Sequence, residues 1–252
     1  PPRSTQGVSS AASDVYKRQM QLEDIRDAIR GVDDHFPETK LIGLENTHNV
    51  CGGSPLSVAY TKEVAELARS HNIKLHIDGA RIFNAAVALG VEVHELVEDA
   101  DSMSFCMSKG LAAPVGSVIC GSKDFIDQAR GIRKGLGGGM RQAGIIAAAG
   151  IVALETMVDR LQEDHTNARM LAEGIADLPG IVLDPESIKT NIIYFDMDDA
   201  AMESADFLAA LSTKGIQFFD TGPRRFRMVT HYGITAEDIL YTIDGFKQTL
   251  AD

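Results

Sequence analysis

The sequence predicts an α/β protein: helices around a mainly parallel sheet, followed by a small C-terminal α+β domain. Three observations point there. Upstream of Leu178, short apolar runs alternate with segments of helical period, the pattern of parallel strands joined by crossover helices. After Leu178-Pro179-Gly180 the strand-like runs crowd together. Between them, polar residues able to do chemistry follow directly on apolar runs, where open α/β sheets place their ligands.

Taken in order, LEDIRDAIRGV from Leu22 is amphipathic, and KLIGLE (Lys40–Glu45) reads as a strand. SVAYTKEVAELARSH (Ser57–His71) carries apolar residues at helical spacing, and IKLHID (Ile73–Asp78) is a second strand. ARIFNAAVALG is a helix with Gly90 at its C-terminal end. DSMSFCMS and GSVICGS read as a third and a fourth strand. KDFIDQARGIRKG is helical, and the long run from Gly144 is expected to break into two helices, the first buried, in the core or equally at a subunit interface. GIVLD, TNIIYFDM, IQFFD and RRFRMVT are strand-like, and SADFLAALSTKG and TAEDILYTIDGFKQTL are helical. The expected division is a tail over 1–20, a large domain over 21–160 and a small domain over 161–252. The tail, rich in Ser, Pro and Ala, is expected to be disordered or extraneous.

The chain of 252 residues, 44% hydrophobic, can bury a sizeable core. Its net charge of −12 argues against nucleic acid and an anionic membrane as partners. Cys51, Cys106 and Cys120 are odd in number and lack CxxC spacing, which predicts reduced thiols, a cytoplasmic location and no metal site. The apolar stretch Ala143–Leu154 is too short to span a bilayer.

Asp78 ends a strand before a glycine, where it either caps the next helix or holds a cation in a cleft. Lys109, in SFCMSKGLAAPVGS, either snorkels to solvent or is a desolvated amine fit to condense with a carbonyl. The GLGGGMRQ run either cradles an anion or serves as a hinge, and it fails both the GxGxxG and GK[ST] patterns. An aspartate, a lysine and nearby cations form the set that pyridoxal phosphate requires. The amine bonds the aldehyde, the carboxylate keeps the ring nitrogen protonated, and an arginine forks the substrate carboxylate.

LENTHN (Leu44–Asn49), HIDGARIFNA (His76–Ala85), SKGLAAPVGS (Ser108–Ser117) and GGGMRQAGIIAAAG (Gly137–Gly150) together resemble the low-specificity L-threonine aldolases. RFRMVTH fits as well, so the similarity runs from about Asp33 to the C-terminus. The resemblance implies part of an aspartate-aminotransferase-like large domain, pyridoxal 5'-phosphate as cofactor and an amino-acid substrate. The implied reaction cleaves L-threonine or L-allo-threonine to glycine and acetaldehyde, within a homodimer or homotetramer. It makes Lys109 the cofactor lysine and Asp78 the partner of the ring nitrogen. Arg81 and Arg227 hold the substrate carboxylate, and Ser108 touches the phosphate. His35 lies near the substrate hydroxyl. His48, as acid–base group or loop-ordering side chain, ranks just below it, and Arg141 either reaches the phosphate or caps a loop.

The family's Gly/Ser–Thr phosphate loop and ring-stacking histidine have no match upstream of Asp33, so the chain is expected to be an N-terminally truncated piece with apolar surface uncovered. Two other readings share these residues: another lyase, racemase or aminotransferase of the same fold, and a non-catalytic fragment that only packs against a partner.

Overall fold

The computed structural model describes residues 19–198 and 202–251. The expected tail falls almost wholly outside them. The chain forms two four-stranded sheets. The first has the order β1 (Leu41–Glu45), β2 (Lys74–Asp78), β3 (Ser102–Cys106), β4 (Ser117–Gly121). Its first three strands are parallel, with Glu45 opposite Asp78 and Asp78 opposite Ser104. Strand β4 runs antiparallel to β3. Residues 107–116 are too few for a crossover, so the chain turns back as a hairpin.

Helix α1 (Leu22–Ala28) leads into β1, and α2 (Val58–Ser70) and α3 (Ile82–Leu89) connect the strands that follow. Helix α2 starts where Ser57 accepts the Tyr60 amide, and it buries the stripe Tyr60, Thr61, Val64, Ala65, Leu67, Ala68. Helix α3 ends at Gly90 in the left-handed conformation, as its sequence predicts. Helices α4 (Lys123–Gly135) and α5 (Gly144–Thr156) follow.

Here the structure corrects the reading. Helix α5 is not buried: only Gly150 and Ala153 are, and Ile145 is 85% exposed. Its composition demands cover, but among the described residues nothing lies over Ile145, Ile151 or Val152 closely enough to bury them. Apolar content predicts that a face wants a partner and says nothing of whether one is present.

The second sheet has the order β5 (Ile181–Val182), β6 (Ile192–Met197), β8 (Arg225–Val229), β7 (Phe219–Gly222), all antiparallel. Helices α6 (Leu161–Ile175), α7 (Ser204–Thr213) and α8 (Ala236–Leu250) accompany it. Phe195, Phe207, Phe226 and Phe246 are fully buried between sheet and helices, with Phe218 packed against them. Their rings meet edge-on or stacked at 5.1–6.4 Å, separations at which aromatic pairs attract beyond area burial alone.

Polar bonds join the two sheets. Asn84 of α3 donates its amide to His165 Nε2 of α6 at 3.0 Å. Thr190, just before β6, donates to the Gly53 carbonyl at 2.8 Å. His165 is buried and accepts at Nε2, so the neutral ring fits this joint, and burial pushes its pKa down to about 4. Because the folded value lies below the unfolded 6.5, the unfolded chain binds the proton more readily. The contribution to stability is present above pH 6.5 and is lost as pH falls toward 4. Urea unfolding of the wild type and of His165→Gln between pH 7 and 4 should show an extra loss on the order of 3 kcal/mol in the wild type alone. Parallel pH profiles would refute the assignment.

Candidate active site

The carboxyl ends of the three parallel strands open on one edge, and Asp78, Arg81, Ser108 and Lys109 lie at or just after them. Glu45 ends β1, Asp78 ends β2 and Cys106 ends β3. The Asp78 carboxylate is exposed, and Oδ1 accepts the Ala80 amide at 3.1 Å. It makes no ion pair with Arg81, which caps the start of α3 three residues later. Asp78 therefore both orders the turn and presents a carboxylate outward.

Lys109 sits in the β3–β4 turn, where Ala112 donates to the Lys109 carbonyl at 2.9 Å and Ala113 to that of Met107 at 2.9 Å. Lys109 and Ser108 are exposed, not buried at a strand end as the apolar context suggests. The Lys109 ammonium has no partner among the described residues. Gly110 beside it is buried: a Cβ there would stand 2.8 Å from Leu161 and 3.1 Å from Asn84 Oδ1. Only glycine lets the turn sit this close to α3 and α6.

Arg227 comes from the second sheet, on β8 opposite Tyr194 of β6. Its Nη1 donates to Asn49 Oδ1 at 3.1 Å, and its Nε is buried without a partner. Arg81 is largely buried, and burial lowers its pKa. The neighbouring Arg227 charge pushes the same way, while Glu45, Cys106 and Tyr194 oppose it. Two guanidiniums from two sheets thus lie near one another with Glu45 as close counter-charge, and Glu45 is itself engaged by His48 Nε2 at 3.3 Å. The two guanidiniums, with an unpaired donor on Arg227, suit a carboxylate ligand.

The loop after β1 holds this arrangement. Asn46 is buried: its Nδ2 donates to the Leu56 carbonyl and its Oδ1 accepts the Leu56 amide, both at 3.1 Å. Its own amide donates to the Asp78 carbonyl at 2.9 Å. His48 Nδ1 accepts the Cys51 amide at 3.3 Å, so both ring nitrogens are engaged and the side chain orders the loop.

The structure does not bring every predicted residue together. His35 is 86% exposed on the loop before β1, beside Asp33 at 3.4 Å, and no bond links it to Asp78, Arg81 or Lys109. Arg141 is exposed between α4 and α5. Sequence reasoning missed Glu45, Asn49 and Tyr194. Glu45 carried a signal, since it ends an apolar strand just as Asp78 does and stands three residues before His48. Asn49 and Tyr194 act across the two sheets, and spacing along one strand does not show that.

The described residues fit pyridoxal phosphate: an unpaired amine, an outward carboxylate and an arginine pair with an orphaned donor. Solved structures share the architecture. A threonine aldolase from Leishmania major superposes with a TM-score of 0.75 at 14% identity, covering 93% of this chain and 68% of that one. A PLP-dependent aminotransferase from Streptococcus suis gives 0.69 at 18%, covering 94% and 62%. Fold and strand-end site together define a chain of the aminotransferase-like α/β class. Residues 3–198 match the beta-eliminating lyase family, and the chain belongs to it.

Among its relatives, low-specificity L-threonine aldolase 1 of Arabidopsis thaliana is 49% identical over 234 residues, which cover 92% of this chain and 65% of that protein. The low specificity L-threonine aldolase of Escherichia coli K12 is 42% identical over 232 residues, 92% of this chain and 67% of that protein. The chain spans about two thirds of the length of these relatives.

Asn46→Ala removes both partners of Leu56 from a buried loop. Urea unfolding should show a loss of about 2–4 kcal/mol, with faster hydrogen exchange across residues 46–53. A change below about 0.5 kcal/mol would contradict the role given to this side chain.

Proposed function

We propose that the protein cleaves the Cα–Cβ bond of L-threonine and L-allo-threonine, yielding glycine and acetaldehyde with pyridoxal 5'-phosphate. The observation that carries this reading is the approach of Arg227, from the second sheet, to Arg81, three residues after Asp78 at the end of β2, in a chain close in sequence to named threonine aldolases. When bound, the cofactor supplies an electron sink for the pair left on Cα.

The residues' own parts follow from their chemistry. Arg81 and Arg227 bind the substrate α-carboxylate and fix its orientation, which aligns the bond to be broken. Asp78 faces outward from β2 and would hold a proton on the ring nitrogen of a bound cofactor. The Lys109 amine, without a partner among the described residues, would hold the cofactor through its aldehyde. Ser108, beside the lysine, would offer a donor to the phosphate, and Arg141, exposed between α4 and α5, would do so only if its loop reaches the site. The β-hydroxyl loses a proton as the carbon–carbon bond breaks, and Cα gains one. The resemblance gives the hydroxyl proton to His35, whose exposed loop has to move to deliver it. We also assign the protein to a cytoplasmic homodimer or homotetramer. Support comes from the lack of any disulfide among the described residues and from the exposed apolar face of α5.

Protein supplemented with pyridoxal phosphate should develop a visible absorption band and release acetaldehyde from threonine. Lys109→Ala should lose the band and reduce turnover by at least about a thousand-fold. A band that survives in the variant would overturn the lysine assignment. Ammonia or a ketoacid in place of acetaldehyde would favour another enzyme of the same fold.

A further inference from the structure

Arg227 belongs to the second sheet, yet the site lies at the edge of the first. Something must fix where its guanidinium points. The one bond that does so comes from the loop after β1: Nη1 donates to Asn49 Oδ1 at 3.1 Å, while the buried Nε has no partner among the described residues. The side chain is pinned at one nitrogen and keeps a donor for a ligand at another.

Asn49 is itself held on a braced turn. Its amide donates to Glu45 Oε1 at 3.4 Å, and its carbonyl accepts the Gly52 amide at 3.1 Å. Gly53 closes the turn by donating to the His48 carbonyl at 3.1 Å. The turn then meets the second sheet again, where Thr190 donates to the Gly53 carbonyl. Gly53 has φ +69°, and a Cβ on it would stand 2.4 Å from Thr190 Oγ1, so the two sheets approach as closely here as glycine permits.

We infer that Asn49 is a positioning residue whose carboxamide oxygen fixes Arg227 so that its remaining donors, with those of Arg81, face the substrate α-carboxylate. The inference rests on the carboxylate role proposed for Arg227. A neutral acceptor suits the task. An amide oxygen orients a guanidinium and leaves its charge for the ligand, whereas a carboxylate at the same place would compete with the ligand by forming a charge-assisted pair.

The test is a glycine titration of the full chain loaded with pyridoxal phosphate, followed by its visible absorption, with threonine kinetics and thermal unfolding alongside. Asn49→Ala should raise the glycine Kd about ten-fold and the KM for threonine in step, with kcat and the unfolding midpoint little changed. Asn49→Asp keeps the shape and the acceptor, so it carries the test if the alanine variant folds poorly. It should weaken glycine binding at least as much, through competition. Arg227→Ala should raise Kd by about a hundred-fold, and adding Asn49→Ala to it should cost nothing more, because Asn49 acts only through Arg227.

Glycine binding that weakens in Arg227→Ala but stays within about two-fold of wild type in both Asn49 variants would overturn the inference and leave the carboxylate reading standing. Full additivity in the double variant would also overturn it. If Arg227→Ala itself leaves Kd unchanged, the carboxylate reading fails and this inference falls with it.

Discussion

The contact on which the site depends is the seam between the two sheets, above all the loop from Asn46 to Gly53. Arg81 stands at the start of α3, just after β2 of the first sheet, and Arg227 on β8 of the second. Neither sheet alone can present two guanidiniums to one carboxylate. The loop is tied down at both ends, by Asn46 to Leu56 and Asp78 and by Gly53 to Thr190, and between these ties it offers Asn49 to Arg227. A second polar seam, from Asn84 to His165, fixes α3 against α6 on another side of the same junction. Hydrogen bonds suit this purpose better than apolar packing, because they specify one mutual position of the sheets among the many that close packing would tolerate.

The electrostatics follow from that placement. Bringing Arg227 toward Arg81 is unfavourable, and burial of Arg81 makes it more so. Glu45 offsets part of this, but His48 shares its carboxylate. The pair of guanidiniums suits an anionic group such as a carboxylate. Asp78 and Lys109 lie on the same edge and face solvent, whereas Arg81 and Arg227 are partly enclosed.

Much of this was legible in the sequence. Each of the three parallel strands announced itself as a short apolar run, and the residue ending it, Glu45, Asp78 or Cys106, falls at the same edge because parallel strands share a direction. The lysine could be located, but its surroundings were left open between solvent and a desolvated pocket; a tight hairpin carries Lys109 out into solvent. The antiparallel return of β4 follows from the shortness of the 107–116 connection, a count available beforehand. Helix α5 misled for a plain reason. A run such as GIIAAAGIVAL records what the helix requires, and exposure depends on what lies over it. Asn49 was beyond reach, since its part in the site exists only through a residue on the other sheet, far along the chain.

The most direct test of the account is a crystal structure of the protein with pyridoxal phosphate and glycine bound. The account predicts glycine's carboxylate within hydrogen-bond distance of both the Arg81 and Arg227 guanidiniums, with the Asn49–Arg227 bond intact, Asp78 on the ring nitrogen and the Lys109 amine beside the cofactor aldehyde carbon. A carboxylate bound away from either arginine, or Arg227 turned from the strand edge, would contradict it.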